Sequence, residues 1–287
     1  MGLFLRVVLF IGLPLVSPLL AQEQSRQALT SSEMIRVLNN EDRYNLRLGE
    51  IKLQVDSVME GELNDNINLS SSKGALSDLI LRPGVQVKGD WQATEFNKIT
   101  GTLGISYAKY VGHPEYDSKM PLIAPNSETA FTLAIGDVRV QVFDRFRMQE
   151  DPTTQGQLSN VVSFRRFENE MGTMVDWDLN QFIISGGYMW GTFLRMDTAF
   201  DSLDRNTHTF IFAPRYLINE VISVGINNQY TLTDYDLNIQ SDTTSLQSGP
   251  YVDVQLTKYT SARLEVGYQN FSSDNQGAIG DSSRFSS

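Results

Sequence analysis

The sequence predicts an all-β protein, an antiparallel up-and-down β-barrel built to cross a membrane. Three observations carry that prediction. Residues 221 to 234, "VISVGINNQYTLTD", place Ile222, Val224, Ile226, Tyr230 and Leu232 on one parity and Ser223, Gly225, Asn227, Gln229 and Thr231 on the other. That is the period-two pattern of a strand with one apolar and one polar face. Such stretches recur in pairs, with short joints alternating with longer polar segments, as in barrels with tight turns at one rim and loops at the other. Beyond the N-terminus, no stretch approaches the roughly 20 apolar residues a membrane helix needs.

The chain opens "MGLFLRVVLFIGLPLVSPLLAQEQ", with Arg6 ahead of an apolar run from Val7 to Leu20 that Gly12, Pro14 and Pro18 interrupt. This reads as a secretory signal over residues 1–21 cut after Ala21, although Leu19 departs from the small-residue rule at the minus-three position. Residues 22–45 hold one short helical pattern, Met34, Ile35 and Leu38 behind a cap at Ser31 or Ser32, and read as a periplasmic lead-in. From Leu46 the period is two, so residues 46–287 form the barrel domain. The formal charge of -11 over 287 residues argues against nucleic acid as a partner, because phosphate binding needs a basic footprint. With no Cys there is no disulfide framework and no lipid-anchoring thiol. A hydrophobic share of 41% is low for a large buried core and ordinary where half of each strand faces a wet lumen.

Eleven strands are visible in order. The first, about 46 to 59, sets Ile51, Leu53 and Val55 against Lys52, Gln54 and Asp56. The second, 77 to 91, sets Leu79, Leu81, Val85, Val87 and Trp91 against Arg82, Gln86, Lys88 and Asp90. In the third, 95 to 110, Ile99, Leu103, Ile105 and Tyr107 oppose Thr100, Thr102, Gly104 and Ser106. "FTLAIGDVRVQVFDRFRM" then changes phase: Phe131, Leu133 and Ile135 are odd and Val138, Val140 and Val142 even, which a two-residue hairpin turn at Gly136-Asp137 produces. Further pairs follow at 160 to 177 and 181 to 196, 207 to 217 and 220 to 234, and 249 to 257 and 261 to 271. The long segments are 60 to 76, 111 to 127, 149 to 159, 197 to 206 and 235 to 248. Trp91, Tyr110, Trp177, Phe182, Tyr216, Tyr230, Tyr268 and Phe271, near strand ends, are expected to form aromatic girdles at the membrane interfaces.

Three segments, "MEGELNDNINLS", "LSDLILRPGVQVKGDW" and "GTLGISYAKY", resemble the outer-membrane β-barrel porins of Gram-negative bacteria, in which an acidic-Asn loop is followed by "SDL" and "PG". The matching residues are Asn64, Asp65, Asn66, Ser77, Asp78, Leu79, Pro83 and Gly84. The resemblance covers this hairpin, and the rest of the chain only by rhythm. It implies an outer-membrane location and, for the members found near exopolysaccharide export genes, a part in polysaccharide export. Such barrels usually end on a strand with a terminal aromatic, whereas this chain ends "GDSSRFSS". Eleven strands are odd where a closed bacterial barrel needs an even count, so the barrel domain is expected to be incomplete at its C-terminus.

No enzyme is expected. The two histidines, His113 and His208, are not spaced for a metal, and neither adjoins a serine nucleophile. "SGG" at 185 to 187 has no helix behind it to cradle phosphate. Two acidic loops offer hard oxygen ligands of the kind Ca2+ takes, Glu62, Asn64, Asp65 and Asn66 in one and Asp197, Asp201, Asp204 and Asn206 in the other. Neither has the Gly and distal Glu of an EF-hand, and solvated loop carboxylates are the plainer reading. No cofactor is implied. The candidate lumen-lining residues are Arg139, Arg145 and Arg147 of the fifth strand and Arg166, Glu168, Glu170 and Asp176 of the sixth, because charge on a lipid face costs about 2–4 kcal/mol per Arg at mid-membrane. Asp144, on the apolar parity, is expected near the membrane edge or at a bulge. The functional expectation is a passive channel for small polar or anionic solutes, or an outer-membrane part of polysaccharide export, with outer-membrane lipid as partner. The alternatives are a non-conducting structural barrel and a secreted soluble β-sandwich.

Overall fold

The computed structural model describes residues 2–11, 44–70, 74–150, 164–196, 202–237, 239–257 and 260–274. Its strands are β1 (Gly2–Ile11), β2 (Leu46–Leu48), β3 (Ile51–Asn64), β4 (Asp78–Gln92), β5 (Asn97–Ser106), β6 (Lys109–Tyr110), β7 (Leu122–Ile123), β8 (Glu128–Ile135), β9 (Val138–Gln149), β10 (Arg166–Leu179), β11 (Phe182–Arg195), β12 (Arg205–Leu217), β13 (Ile222–Tyr235), β14 (Thr243–Thr257) and β15 (Thr260–Ser273). They form one all-antiparallel up-and-down sheet in which each long strand from β3 to β15 pairs with its sequence neighbours. Apart from β1, eleven strands are eight residues or longer, the eleven the alternation predicts. Among the described residues no ladder joins β2 or β3 to the other end of the sheet. Residues 12–43, with the expected lead-in helix, lie outside the described residues, whereas Gly2–Ile11 of the expected signal pair antiparallel along β15, Arg6 opposite Glu265.

Tight connections gather at one end of the sheet and long ones at the other. Ile135 pairs with Val138 across Gly136-Asp137, and the φ of +56° at Gly136 is the left-handed conformation that a glycine adopts without Cβ strain. Leu179 pairs with Phe182 across a second two-residue turn, where Asn180 has φ +68° and its N–H is received by Asp178 Oδ1 at 2.8 Å. The predicted first strand is in fact two: Leu48 turns back onto Ile51 at Gly49, φ +64°. Leu46 and Leu48 are even while Ile51 and Leu53 are odd, so the sequence holds there the same phase change as at Gly136-Asp137. The predicted third strand ends at Ser106 and resumes only as β6; opposite the break is Pro83, which has no N–H to donate, and its carbonyl receives Tyr107 N–H at 3.1 Å.

Two further prolines interrupt ladders. Between β12 and β13 the pairing passes from Phe212 opposite Asn228 to Arg215 opposite Gly225, skipping Pro214. Between β14 and β15 it skips Pro250, passing from Ser248 opposite Tyr268 to Tyr251 opposite Glu265. On the outer side Pro214, Ile226 and Pro250, with Phe182, Tyr216 and Leu264, line an apolar depression of about 570 Å3.

The apolar parity is the exposed one. Val142, Met171, Trp177, Phe212, Ile226 and Leu264 are all exposed, while Gln141, Arg166, Asp176, Thr209, Ser223 and Glu265, on the other parity, are all buried. Among the described residues, buried apolar side chains gather in three small groups instead of one core. One, at the loop end, joins Ile67, Ile80, Ala108, Tyr110 and Leu122; another joins Phe164, Phe193 and Leu203. The third, Ala130, Phe143, Met174, Met189 and Ile211, crosses five neighbouring strands on the polar parity. A soluble sandwich buries its apolar parity between two sheets, and this sheet does the reverse.

Candidate functional site

The sheltered polar face carries the charge. All seven lumen-lining candidates fall on it, in register: Arg139 is opposite Asp176, Arg145 opposite Glu170, Arg147 opposite Glu168, and Arg166 opposite Gln149. Toward the loop end the side chains join. Arg145 donates from Nη1 to Glu170 Oε1 at 2.9 Å and from Nε to Glu128, and its guanidinium carbon stands 4.1 Å from the centroid of the Phe143 ring. Glu168 receives Arg147 Nε at 2.9 Å on one oxygen and Arg166 Nε at 2.7 Å on the other, while Arg166 Nη2 reaches Gln149 Oε1 at 3.0 Å. Three arginines (145, 147, 166) thus meet three glutamates (128, 168, 170), and their charges cancel. Arg139 and Asp176 lie apart from this chain, nearer the tight turns. Asp176 receives the Ser185 hydroxyl at 2.5 Å, and no ion pair joins it to Arg139 among the described residues.

Glu128 was legible in the sequence though not singled out. A two-residue turn at 136–137 fixes the β8–β9 register, and counting back from Ile135 opposite Val138 puts Glu128 opposite Arg145. A second charged group was not legible, because a register shift between Gln255 and Thr257 offsets the β14–β15 pairing from the one their tight turn implies. Arg263 stacks on the Tyr251 ring, 3.9 Å from its centroid, and pairs with Asp253 at 3.5 Å and Glu265 at 3.2 Å. Asn227 Nδ2 also donates to Glu265, at 3.3 Å.

At the loop end the connections fold into one another. Asn68 ties down Gly74 and Leu76, its Nδ2 donating to Gly74 O at 2.9 Å and its Oδ1 receiving Leu76 N–H at 3.1 Å. Asp78 receives Gly112 N–H at 2.8 Å on one oxygen and sits 2.9 Å from His113 Nδ1 with the other. Ser118 gives its hydroxyl to Glu150 Oε2 at 2.5 Å, and Arg165 Nε holds the other oxygen of Glu150 at 2.9 Å, so three segments are tied through one buried carboxylate. Lys109 and Asp117 form an exposed pair: Asp117, which also receives Tyr110 N–H at 2.8 Å, raises the lysine above its ordinary value, and the lysine lowers the aspartate below its own.

Of the Ca2+ candidates, Glu62, Asn64, Asn66 and Asp204 are spent on such bonds. Glu62 pairs with Arg82 at 2.6 Å and receives Asn64 Nδ2, Asn64 Oδ1 receives Asn66 N–H, and Asn66 brackets Ser70 from both sides. Asp204 receives Arg195 N–H at 2.8 Å; Asp197 and Asp201 lie outside the described residues. Among the described residues no three His, Cys, Asp or Glu gather as metal ligands. His113 belongs to the loops, whereas His208 is on the outer parity with Nδ1 2.8 Å from the Tyr188 hydroxyl.

The outer face has a measurable height. Asn169, Thr192, Asn206 and Asp234 are opposite one another across β10 to β13, a polar row beside Asp144, which receives Asn169 Nδ2. Asp144 sits in unbroken register, so no bulge is involved. Ten residues farther along β10, Leu179, Phe182, Tyr216 and Val224 form the last row before the turns. Ten residues span about 34 Å along a strand, or about 26 Å of height at a tilt of about 40°, close to the apolar band of outer-membrane barrels. Trp91, Trp177, Phe182 and Tyr216 are exposed at the turn end, and Tyr188, Phe210 and Tyr230 form a row of tilted rings nearer the loops, with ring centroids 5.1 and 6.4 Å apart. Two members of the expected girdle are elsewhere. Tyr110 is buried among the loops, and Phe271, though exposed, shares the parity of Glu265.

No family model matches the chain, and no curated protein does. Solved structures similar to it include an outer membrane channel from Pseudomonas putida F1, 10% identical, covering 80% of this chain and 98% of that one at a TM-score of 0.43. A loop-deleted form of OmpT, an outer membrane protein of Vibrio cholerae, is 8% identical and covers 77% and 99% at a TM-score of 0.40. The monoaromatic hydrocarbon channel CymD is 10% identical and covers 79% and 80% at a TM-score of 0.34.

Proposed function

We propose that the protein is an outer-membrane β-barrel protein that works as a passive channel for small polar solutes, with Arg139, Arg145, Arg147, Arg166, Glu168, Glu170 and Asp176 along the permeation path. The observation behind it is the inversion of burial: the apolar parity is turned outward over a height that suits a membrane, and the charged parity is sheltered. A lipid-facing outside has no aqueous substrate to act on, so function is left to the inner face and the loops. Nothing in the geometry bears on polysaccharide export, which rests on the sequence resemblance at residues 64–66 and 77–84 alone.

A specific observation favours one rival. Phe143, Met174, Met189 and Ile211 lie buried on the inner face, and Arg166 is only 2% exposed, so the wall packs much of its inner surface against itself. That packing suits a barrel filled by its own side chains, which would be structural and non-conducting. The two readings separate in planar bilayers. Step conductances from the full chain, recovered with outer membranes and soluble only in detergent, are the result expected of a channel. A folded protein that stays silent at all voltages would leave the structural barrel, and recovery as a soluble monomer would end both.

A further inference from the structure

Near the tight turns two inward guanidinium groups, those of Arg139 and Arg215, make no ion pair among the described residues, and Arg215 has a phenol beside it. Arg215 of β12 is opposite Gly225 of β13, and Gly225 is opposite Tyr251 of β14. Because Gly225 puts no side chain between them, the Tyr251 ring lies across it: a Cβ there would come within 2.6 Å of the ring's Cζ and hydroxyl oxygen. The hydroxyl is thereby carried toward β12, where Arg215 is opposite Gly225. The other charges beside this pair are committed to one another, since Arg263 covers the Tyr251 ring and binds both Asp253 and Glu265. Among the described residues no carboxylate is within 4.0 Å of the Arg215 nitrogens, and the Tyr251 hydroxyl has no hydrogen-bond partner. Arg145, Arg147 and Arg166 at the loop end, each paired with glutamate, present nothing comparable.

We propose that Arg215 and the Tyr251 hydroxyl form a binding site for a small oxyanion, a carboxylate or a phosphate, at the turn end of the inner face. The guanidinium fork matches two oxygens of either group, and the phenolic O–H can donate to one of them. Arg215 and Tyr251 are sheltered by the curl of the sheet, which strengthens such bonds relative to open water. Asp253 opposes the anion but shares its charge with Arg263, which keeps binding weak and reversible, as a site on a permeation path requires. The site rests on the reading of the polar parity as an accessible inner face; it does not require conduction.

The test is calorimetric titration of the full chain, folded in detergent micelles, with sodium phosphate and separately with sodium benzoate, against choline chloride at matched ionic strength. Saturable binding of at least one anion is expected, weakened tenfold or more by Arg215→Gln, less by Arg215→Lys, several-fold by Tyr251→Phe, and not at all by Arg47→Gln in the distant β2. Binding of benzoate alone identifies a carboxylate site, and of phosphate alone a phosphoryl site. If Arg215→Gln does not fold, Arg215→Lys and Tyr251→Phe decide. Absence of saturable anion binding to the folded protein, or binding that these substitutions leave unchanged, overturns the site. Bilayer silence bears on the channel and not on this equilibrium, so the two readings fail separately.

Discussion

Gly172→Ala in β10 tests which side of the sheet is packed. Gly172 is on the inner parity, where a Cβ would stand 2.5 Å from the Tyr188 carbonyl oxygen, 2.9 Å from Phe143 Cζ and 3.1 Å from Met189 Cγ. The carbonyl belongs to a laddered strand and cannot swing away, and Phe143 and Met189 are themselves buried. Forcing an extra methyl into a packed site costs about 1–3 kcal/mol, and contact with main chain puts this site at the upper end, about 3 kcal/mol. Gly186, one strand over on the outer parity, is the matched control, because a Cβ there would meet nothing nearer than Ile211 O at 3.8 Å. Alanine at Gly186 removes only the entropic cost of a strand glycine and should stabilise by about 0.5 kcal/mol. The pair should therefore differ by about 3.5 kcal/mol, more than a hundredfold in the folding constant, in urea unfolding of vesicle-folded protein followed by tryptophan fluorescence. Equal midpoints for the two variants would mean that the inner face is not packed as described.

Arg145→Gln should leave Glu128 and Glu170 facing each other without their shared cation. The arginine side chain is 12% exposed and both glutamates about a third, so the cost is discounted from that of a fully buried pair to about 1–2 kcal/mol. Adding Glu128→Gln should recover part of it; a double variant no more stable than the single one would show that the three side chains do not act together. The Lys109–Asp117 pair predicts a pH window for the loop end. Asp117 is held below its ordinary 3.8, so its contribution is full above that value and is lost as pH falls through the lowered one. Lys109 is held above 10.5, so its contribution is full below that value and is lost as pH rises through the raised one. Limited proteolysis of residues 107–127 should be slowest between these limits and faster at both extremes, and cleavage indifferent to pH would show that the pair does not hold the segment.

The strands were legible wherever both faces do physical work. From Ile222 to Leu232 one parity faces outward and the other inward, so selection writes the period into the side chains. Where a strand runs past the apolar belt the pattern stops while the ladder continues: Glu60, Gly61, Glu62 and Asn64 still pair in β3 with nothing in their composition to mark a strand. The start of β14 was missed by six residues for a related reason, since Thr243 to Ser248 include a single large apolar residue, Leu246, and Gly249-Pro250 looks like a beginning when it is a mid-strand interruption. At the candidate site, each arginine's face followed from parity, and the Glu128 partnership from turn length. The grouping of Arg215, Tyr251 and Arg263 did not, because seven residues join β13 to β14, whose register is set by packing that local sequence does not record, and a register shift between Gln255 and Thr257 offsets β14 from β15.

Pro214 and Pro250 have a mechanical consequence. Pulled from one end, an up-and-down sheet comes apart a strand or a hairpin at a time, and the force at each step depends on how many backbone bonds along the loaded edge must break together. The β10–β11 hairpin is bordered by unbroken ladders on both sides. The β13–β14 pair is bordered by two ladders that each lack a rung at nearly the same level, since Ile226 of β13 is itself opposite Pro250. Under tension those gaps act as notches, so β13 and β14 should tear from the wall together and at lower force, making this part of the sheet its perforated line.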